Sequence, residues 1–336
     1  MQKLGANKLK IGKLPNEVLK ENILDKIKKN RDDVLLSAGI GEDIAAIDFG
    51  DEACVLSMDP VTSSDCQVGS IAVHISCNDV VSSGSEPVGI LVTLLVPPSA
   101  MIEDIGRVMD DIMNAAGKLN VDVIGGHTEV TDAVNRIVVV STVVGRVKKD
   151  RLISSGGARP GDSIIMTKWA GIEGTSIIAS DCTEKVAEIF GAEFAQIASD
   201  LKNYISVVPE GMIAAASGVV NAMHDITEGG VLGAVWELAE ASGCGTKIYR
   251  DKISIKDETI KLCELFEIDP LKLISSGSML IACANENAEA LVSSLDEAGI
   301  FANIIGVITE DKRKIIVDTG VEKEIKPPES DEIYKI

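Results

Sequence analysis

Between residues 67 and 147 the apolar positions change rhythm repeatedly. Val68, Ile71, Ala72 and Ile75 follow the i, i+3, i+4, i+7 spacing of a helix with one buried face, so Gln67 to Ser83 is predicted helical. Val88 to Val96 is an apolar run broken only by Thr93 and closed by Pro97 and Pro98, which predicts a strand. Ile102, Ile105, Met109, Ile112, Ala116 and Leu119 mark a long amphipathic helix. Val121 to Ile124 predicts a buried strand that stops at Gly125 and Gly126 and presents His127, Thr128 and Glu129 at its end. A hairpin turn into the strand Arg136 to Val147 is the alternative for the same residues.

Upstream, Asn16 to Ile27 reads as a short helix with Val18, Leu19, Ile23 and Ile27 on one face. Gly39-Ile40-Gly41-Glu42-Asp43 opens into a strand at Ile44 to Ile47, and a second strand, Cys54 to Met58, ends at Asp59. Two strands therefore begin or end on a carboxylate. Asn78 and Asp79 fall near the C-terminal end of the 67–83 helix, where a carboxylate opposes the negative pole of the helix by up to ~1 kcal/mol. A divalent cation would offset that cost. Two solvated residues of a last turn are the alternative.

The densest turn-forming cluster, Ser154 to Gly161, is the expected domain junction. Beyond it, Ser163 to Thr167 predicts a strand. Gly171-Ile172-Glu173-Gly174-Thr175 then precedes a helix, a candidate anion site that lacks the Gly-Lys-Ser/Thr of a P-loop. Ala222 to Glu228 leads through Gly229 and Gly230 into a helix with Val231, Leu232, Val235, Leu238 and Ala239 inward; Thr227 or Glu228 would also serve as an N-cap or first-turn acid. The remaining segments alternate helix and strand, and the tail from Lys326 is expected to be exposed.

A chain of 336 residues predicts about two domains of ~150 residues each. Hydrophobic residues at 46% and aromatics at 3% predict globular domains with aliphatic cores. The 52 acidic and 32 basic side chains leave a net charge of -20, which argues against nucleic acid or an anionic membrane as partner. No apolar signal-peptide core follows the N-terminal lysines, and the longest apolar run falls short of the ~20 residues of a membrane span, so a cytoplasmic protein is expected. The seven cysteines form no C-x-x-C pair, which fits free thiols in a reducing compartment; three histidines do not support a His-rich zinc site.

Taken together, GEDIAAI at 41–47, MDP at 58–60, CND at 77–79, SGSEP at 83–87 and GGHTEVT at 125–131 resemble the N-terminal half of the AIR synthase (PurM-like) superfamily. ARPGDSIIMT at 158–167, GIEGTSIIA at 171–179, AMHDITEGGVLGAVWELAEASG at 222–243 and FEIDPLKLISSG at 266–277 resemble its C-terminal half, and the order is most similar to the HypE hydrogenase-maturation branch. The resemblance implies a two-domain α/β (α+β) fold, with an N-terminal sheet domain (1–153) that forms a homodimer and a mixed α/β domain (154–336). It implies ATP and Mg2+ bound between the domains and across the dimer, with a substrate oxygen activated by the γ-phosphate. Asp43, Asp59, Asp79 and Glu129 would hold the metal, as hard oxygen donors suit magnesium. Asn78, Gly125, Gly126, Thr128, Gly174, Thr175 and Thr227 would contact the nucleotide, and Asp225, Glu228 and His127 would face the reacting end.

The departures from the pattern matter. The family's G-D-D-A-A is Gly41-Glu42-Asp43-Ile44-Ala45-Ala46, and the HypE D-P-T-R-G-G is Asp225-Ile226-Thr227-Glu228-Gly229-Gly230, an anion replacing a cation. The Pro-Arg-Ile-Cys end of HypE, whose thiol carries the carbamoyl group, is matched by Glu332-Ile333-Tyr334-Lys335-Ile336, and the last cysteine is Cys283. A separate small-molecule or protein substrate is therefore expected. A small-molecule kinase resembling thiamine-monophosphate kinase and a non-catalytic nucleotide-binding regulatory dimer are the alternatives.

Overall fold

The computed structural model describes residues 12–62, 67–328 and 330–336. Cys66 and the lysine-rich residues before Gly12 lie outside the described residues. The first half contains α1 (Asn16–Asn22), β1 (Val34–Leu36), β2 (Ala45–Phe49), β3 (Glu52–Val61), α2 (Val68–Ser82), β4 (Glu86–Val96), α3 (Ile102–Leu119), β5 (Asp122–Val130) and β6 (Val138–Lys148). The second contains β7 (Asp162–Thr167), α4 (Ile172–Asp181), α5 (Thr183–Phe190), α6 (Ala192–Asp200), α7 (Val208–Ser217), β8 (Val220–Ile226), α8 (Gly230–Ala241), β9 (Gly245–Tyr249), α9 (Asp257–Phe266), β10 (Ser278–Ala284), α10 (Asn285–Glu297), β11 (Ala302–Thr309), β12 (Lys314–Asp318) and β13 (Val321–Glu324). A six-stranded sheet runs β1-β2-β3-β6-β4-β5, and a seven-stranded sheet runs β13-β12-β9-β11-β7-β10-β8. Most pairs are antiparallel; β4–β5 and β9–β12 are parallel. Among the described residues no helix is long and apolar enough to cross a membrane.

Helix α2 is the hinge of the architecture. The sequence marks one apolar face, yet twelve of its residues are buried, including Cys77, Asn78 and Asp79. A helix closed off this completely lies between layers. It packs on β3 and β6 to one side and meets α7 and β8 of the second half. Valine and isoleucine from the first sheet, α2 and α3 form one aliphatic core, to which Ile205 and Val208 of the second half also contribute. Helix α3 keeps the amphipathic pattern read from the sequence; the Asp104 carboxylate accepts the Met101 N–H at 2.8 Å and Asn120 ends the helix in the left-handed region.

Several expectations need correction. The strand predicted to stop at Gly125 continues through both glycines to Val130, and it is exposed rather than buried. It is no hairpin either, because β5 pairs with β4 and not with β6. The glycines are explained by the ladder. Gly126 has φ +152, and a Cβ there would lie 1.8 Å from the Val92 carbonyl oxygen, so no side chain fits against β4. The tail is not exposed throughout. Asp331 is 1% exposed, and its carboxylate accepts N–H groups from Gly229 (2.6 Å), Ile274 (3.1 Å) and Ile333 (2.9 Å), which pins the last residues across the start of α8.

Candidate active site

Asp59 lies on β3, Asp79 on the second half of α2, Asp225 near the end of β8, and Asp43 in the loop before β2. Contact of α2 with both β3 and β8 brings these separate segments together. Ser57 Oγ donates to Asp79 Oδ2 at 2.5 Å and lies 3.4 Å from Asp59 Oδ2. Burial drives the Asp79 carboxyl well above the usual carboxylate range, and the facing Asp225, Asp59 and Asp43 push the same way. Asp225 is 1% exposed, neither of its oxygens has a hydrogen-bond partner, and burial with Asp43 raises its carboxyl to about 7.

Two cations partly balance this cluster. His224 Nδ1 is 2.6 Å from Asp43 Oδ2, and Nε2 is 3.3 Å from Glu237 Oε2. Burial disfavours charge on the imidazole, but Asp43 and Glu237 outweigh it and raise His224 well above its usual value. Burial also works against charge on Asp43, and His224 and Lys13 hold it low. Lys13 stretches its ammonium into the cluster; burial of that end lowers its affinity for a proton, while Glu237, Asp43, Glu228 and Asp225 raise it further. Nearby Glu42 accepts from Ser154 Oγ at 3.2 Å and is raised to about 7 by burial and by Asp43.

Beside this cluster lies a cleft of about 930 Å3 lined from both halves by Lys13, Asp43, Asp59, Asp79, Thr227 and Glu228, among others. The loop 132–136 that follows β5 also lines it. Ligand atoms of Asp43, His224 and Asp225 lie within 4.8 Å of one another. Asp59 and Asp79 adjoin them, so the donors are mostly carboxylate oxygens. That set, with two unpartnered buried oxygens, fits a hard divalent cation such as magnesium.

The expected site residues divide into two groups. Asp43, Asp59, Asp79, Thr227 and Glu228 meet at the cleft, and Asp225 lies buried beside Asp43. Glu129 does not join them within one chain: in register order β3-β6-β4-β5 it lies three strands from Asp59, about 14 Å at ~4.8 Å per strand. Within one chain the carboxylate that stands beside Asp43 is Asp225. Gly125, Gly126, His127 and Thr128 share that exposed edge strand, where His127 Nε2 sits 3.7 Å from Glu129 Oε2. Asn78 is not free for a nucleotide either. Its amide donates to the Ile205 carbonyl at 2.9 Å and accepts the Val207 N–H at 2.8 Å, which clamps the two halves together.

The expected anion site at 171–175 also fails. Gly174 and Thr175 lie inside the first turns of α4; Thr175 Oγ1 is tied to the Gly171 carbonyl and Thr259, and a Cβ on Gly174 would lie 2.4 Å from Leu273. Their residue types serve packing. Conversely, His224, Glu237, Lys13 and Ser57 are site residues that sequence reasoning missed. His224 and Glu237 lie within the 222–243 motif and Lys13 in GKLPNEVL at 12–19, which also resembles the start of the HypE branch, but nothing in those stretches singled the three out.

The AIR synthase related protein family matches this chain by its N-terminal domain over residues 41–147 and by its C-terminal domain over 159–319. The chain belongs to the AIR synthase related family. A putative hydrogenase expression/formation protein of Methanocaldococcus jannaschii is 31% identical over 324 residues, 92% of this chain and 93% of that protein. Carbamoyl dehydratase HypE of Cupriavidus necator is 27% identical over 253 residues (74% and 70% of the two chains). Selenide, water dikinase of Carboxydothermus hydrogenoformans is 27% identical over 328 residues (86% and 90%). The two-domain PurM-like fold is shared with hydrogenase maturation protein HypE in complex with ATP, at TM-score 0.70 and 20% identity over 94% of this chain and 95% of that one. AaThiL complexed with AMPPCP and TMP shares it at TM-score 0.75 and 20% identity over 96% and 100%.

Proposed function

We propose that this AIR synthase-related protein is an ATP- and magnesium-dependent enzyme that transfers the γ-phosphoryl group to an oxygen of a separate substrate, releasing ADP and making that oxygen a leaving group. The observation that carries this reading is Asp225, a buried carboxylate with both oxygens unpartnered, set among Asp43, Asp59 and Asp79. Like charges ~4 Å apart repel by about 4 kcal/mol at an effective dielectric of ~20, so such a group is costly to build without a ligand of opposite charge. Asp59, Asp79 and Asp225, with Asp43, would hold magnesium, which supplies positive charge to the phosphate oxygens. Lys13 and His224 keep Asp43 ionised, and Thr227 and Glu228 line the wall where an acceptor would lie.

The likeness to a HypE in complex with ATP, to AaThiL complexed with AMPPCP and to a dikinase supports the use of ATP. A separate acceptor is supported by the lining of the cleft, which among the described residues includes no cysteine. The exposed β5 edge, with apolar Ile124 and Val130 beside His127, Thr128 and Glu129, supports a homodimer in which a second copy brings these residues to the site. A small-molecule kinase is the second reading, favoured by the likeness to selenide, water dikinase. Product analysis of turnover separates them. ADP and free phosphate with a dehydrated or cyclised product support the first; a stable phosphorylated product supports the second; ATP bound without any turnover contradicts both.

A further inference from the structure

Glu173 stands in the first turn of α4, 4% exposed, with Oε2 lacking any hydrogen-bond partner. Ser276 is 1% exposed; its side chain and backbone face the Glu173 carboxyl and lower that group's affinity for a proton, while its Oγ makes no well-formed hydrogen bond. Both line the cleft, on the wall that also carries Glu228, Ile274, Ile333 and Tyr334. The helix start tolerates one negative charge, since its N–H groups face that way. It does not satisfy the second carboxylate oxygen. Buried acceptors left unpaired are rare in folded proteins and mark a place where a ligand or water donates.

The surroundings choose the ligand's charge. Burial raises the Glu173 carboxyl to about 7 against the Ser276 side chain and backbone, which lower it, and the charged groups that add to the rise are the carboxylates of Asp331 and Glu228. Lys13 is engaged at the edge of this wall: its backbone N–H donates to Glu228 Oε1 at 3.2 Å, its ammonium is 3.5 Å from Thr227 Oγ1, and Glu237, Asp43, Glu228 and Asp225 raise it. An anion would therefore meet carboxylates here. A primary ammonium brings three donors and no acceptor, matching Glu173 Oε2 and the lone pairs of Ser276 Oγ.

We propose that Glu173 and Ser276 form a subsite for a primary ammonium group, so that the acceptor substrate of this enzyme is an amine-bearing small molecule. The subsite rests on the proposed function only for its use in turnover; its binding chemistry stands apart from it. Tyr334, which faces Glu228, Asp331 and Glu173, forms part of the same wall, so the C-terminal residues shape the subsite.

The test uses the full-length protein at 0.15 M salt, where diffuse surface attraction is screened beyond ~8 Å. Binding of 1,4-diaminobutane is followed by ligand-observed NMR, with 1,4-butanediol and succinate as neutral and anionic probes of similar length, on wild type, Glu173→Gln and Ser276→Ala. MgATP binding is measured separately on each. The diamine is expected to bind wild type and the other two probes are not; Glu173→Gln should weaken diamine binding at least tenfold, while MgATP affinity stays within twofold. Equal binding of diol and diamine overturns the charge assignment, and undiminished diamine binding to Glu173→Gln overturns the site. Diamine binding without MgATP binding would overturn the proposed function and leave the subsite standing, whereas the reverse would overturn the subsite alone. Thermal denaturation of Glu173→Gln at or above the wild-type temperature shows that a loss of binding is not a loss of fold.

Discussion

Replacing Asp225 by Asn should stabilise the metal-free protein, the opposite of what most substitutions of a buried residue do. Burial and the facing Asp43 hold this carboxyl at about 7 against an ordinary 3.8. That difference corresponds to about 4 kcal/mol disfavouring the ionised form. Since the folded-state value is raised, the protonated carboxyl's contribution is fully present below about pH 3.8 and is lost as pH rises through about 7. Asparagine removes the charge, keeps the shape, and offers an N–H2 to the adjoining carboxylates. In chelator at pH 8, Asp225→Asn is expected to melt about 5 °C or more above wild type, with the gap shrinking as the pH falls to 5. Magnesium should reverse the order of benefit, raising the wild-type melting temperature and leaving the variant nearly unmoved. A variant that melts below wild type at pH 8 without metal would refute the reasoning, because the carboxylate would then be satisfied by the protein itself.

Further outcomes follow from the residues that turned out to be structural. Asn78→Ala leaves the Ile205 carbonyl and the Val207 N–H unpaired, so denaturant unfolding should show a loss of about 2–4 kcal/mol while MgATP affinity is retained under folded conditions. Gly126→Ala drives a Cβ into the Val92 carbonyl and should cost about 3 kcal/mol in the same assay, with or without nucleotide. His74 is pushed down to about 4, by burial first and then by Lys118 and Lys168. Its neutral form is therefore favoured in the fold, and stability present above pH 6.5 is lost as pH falls toward about 4, by about 3 kcal/mol. His74→Asn should flatten that part of an acid-unfolding curve.

Much of the fold was legible because local pattern and global packing agree. The rhythm of α3 and the apolar run of β4 need no tertiary context, and the order of motifs carried the family. Asp43, Asp59 and Asp79 stood out for a physical reason: carboxylates at strand and helix ends, one of them opposing a helix dipole, ask for a common partner. Other features depend on what arrives from far away in the chain. Asn78 resembles a ligand residue until Ile205 and Val207 are seen to take both ends of its amide. Gly174 looks like a phosphate-binding glycine until Leu273 fills the space beside it. Glu129 reads as a fourth carboxylate in one dimension, yet strand order places it at a sheet edge, away from the other three within one chain, while Asp225 stands among them with both oxygens unpartnered. The pairing of His224 with Asp43, 181 positions earlier, has no trace in the spacing of either.

The central claim is that the aspartates between the two halves hold a nucleotide through a divalent ion. Calorimetric titration of ATP into the full-length protein, with magnesium and again with chelator, tests it most directly, alongside Asp79→Asn. The account predicts saturable binding that requires magnesium and is weakened in the variant. No heat at millimolar ATP and magnesium, or binding that persists equally in chelator and in Asp79→Asn, would contradict it.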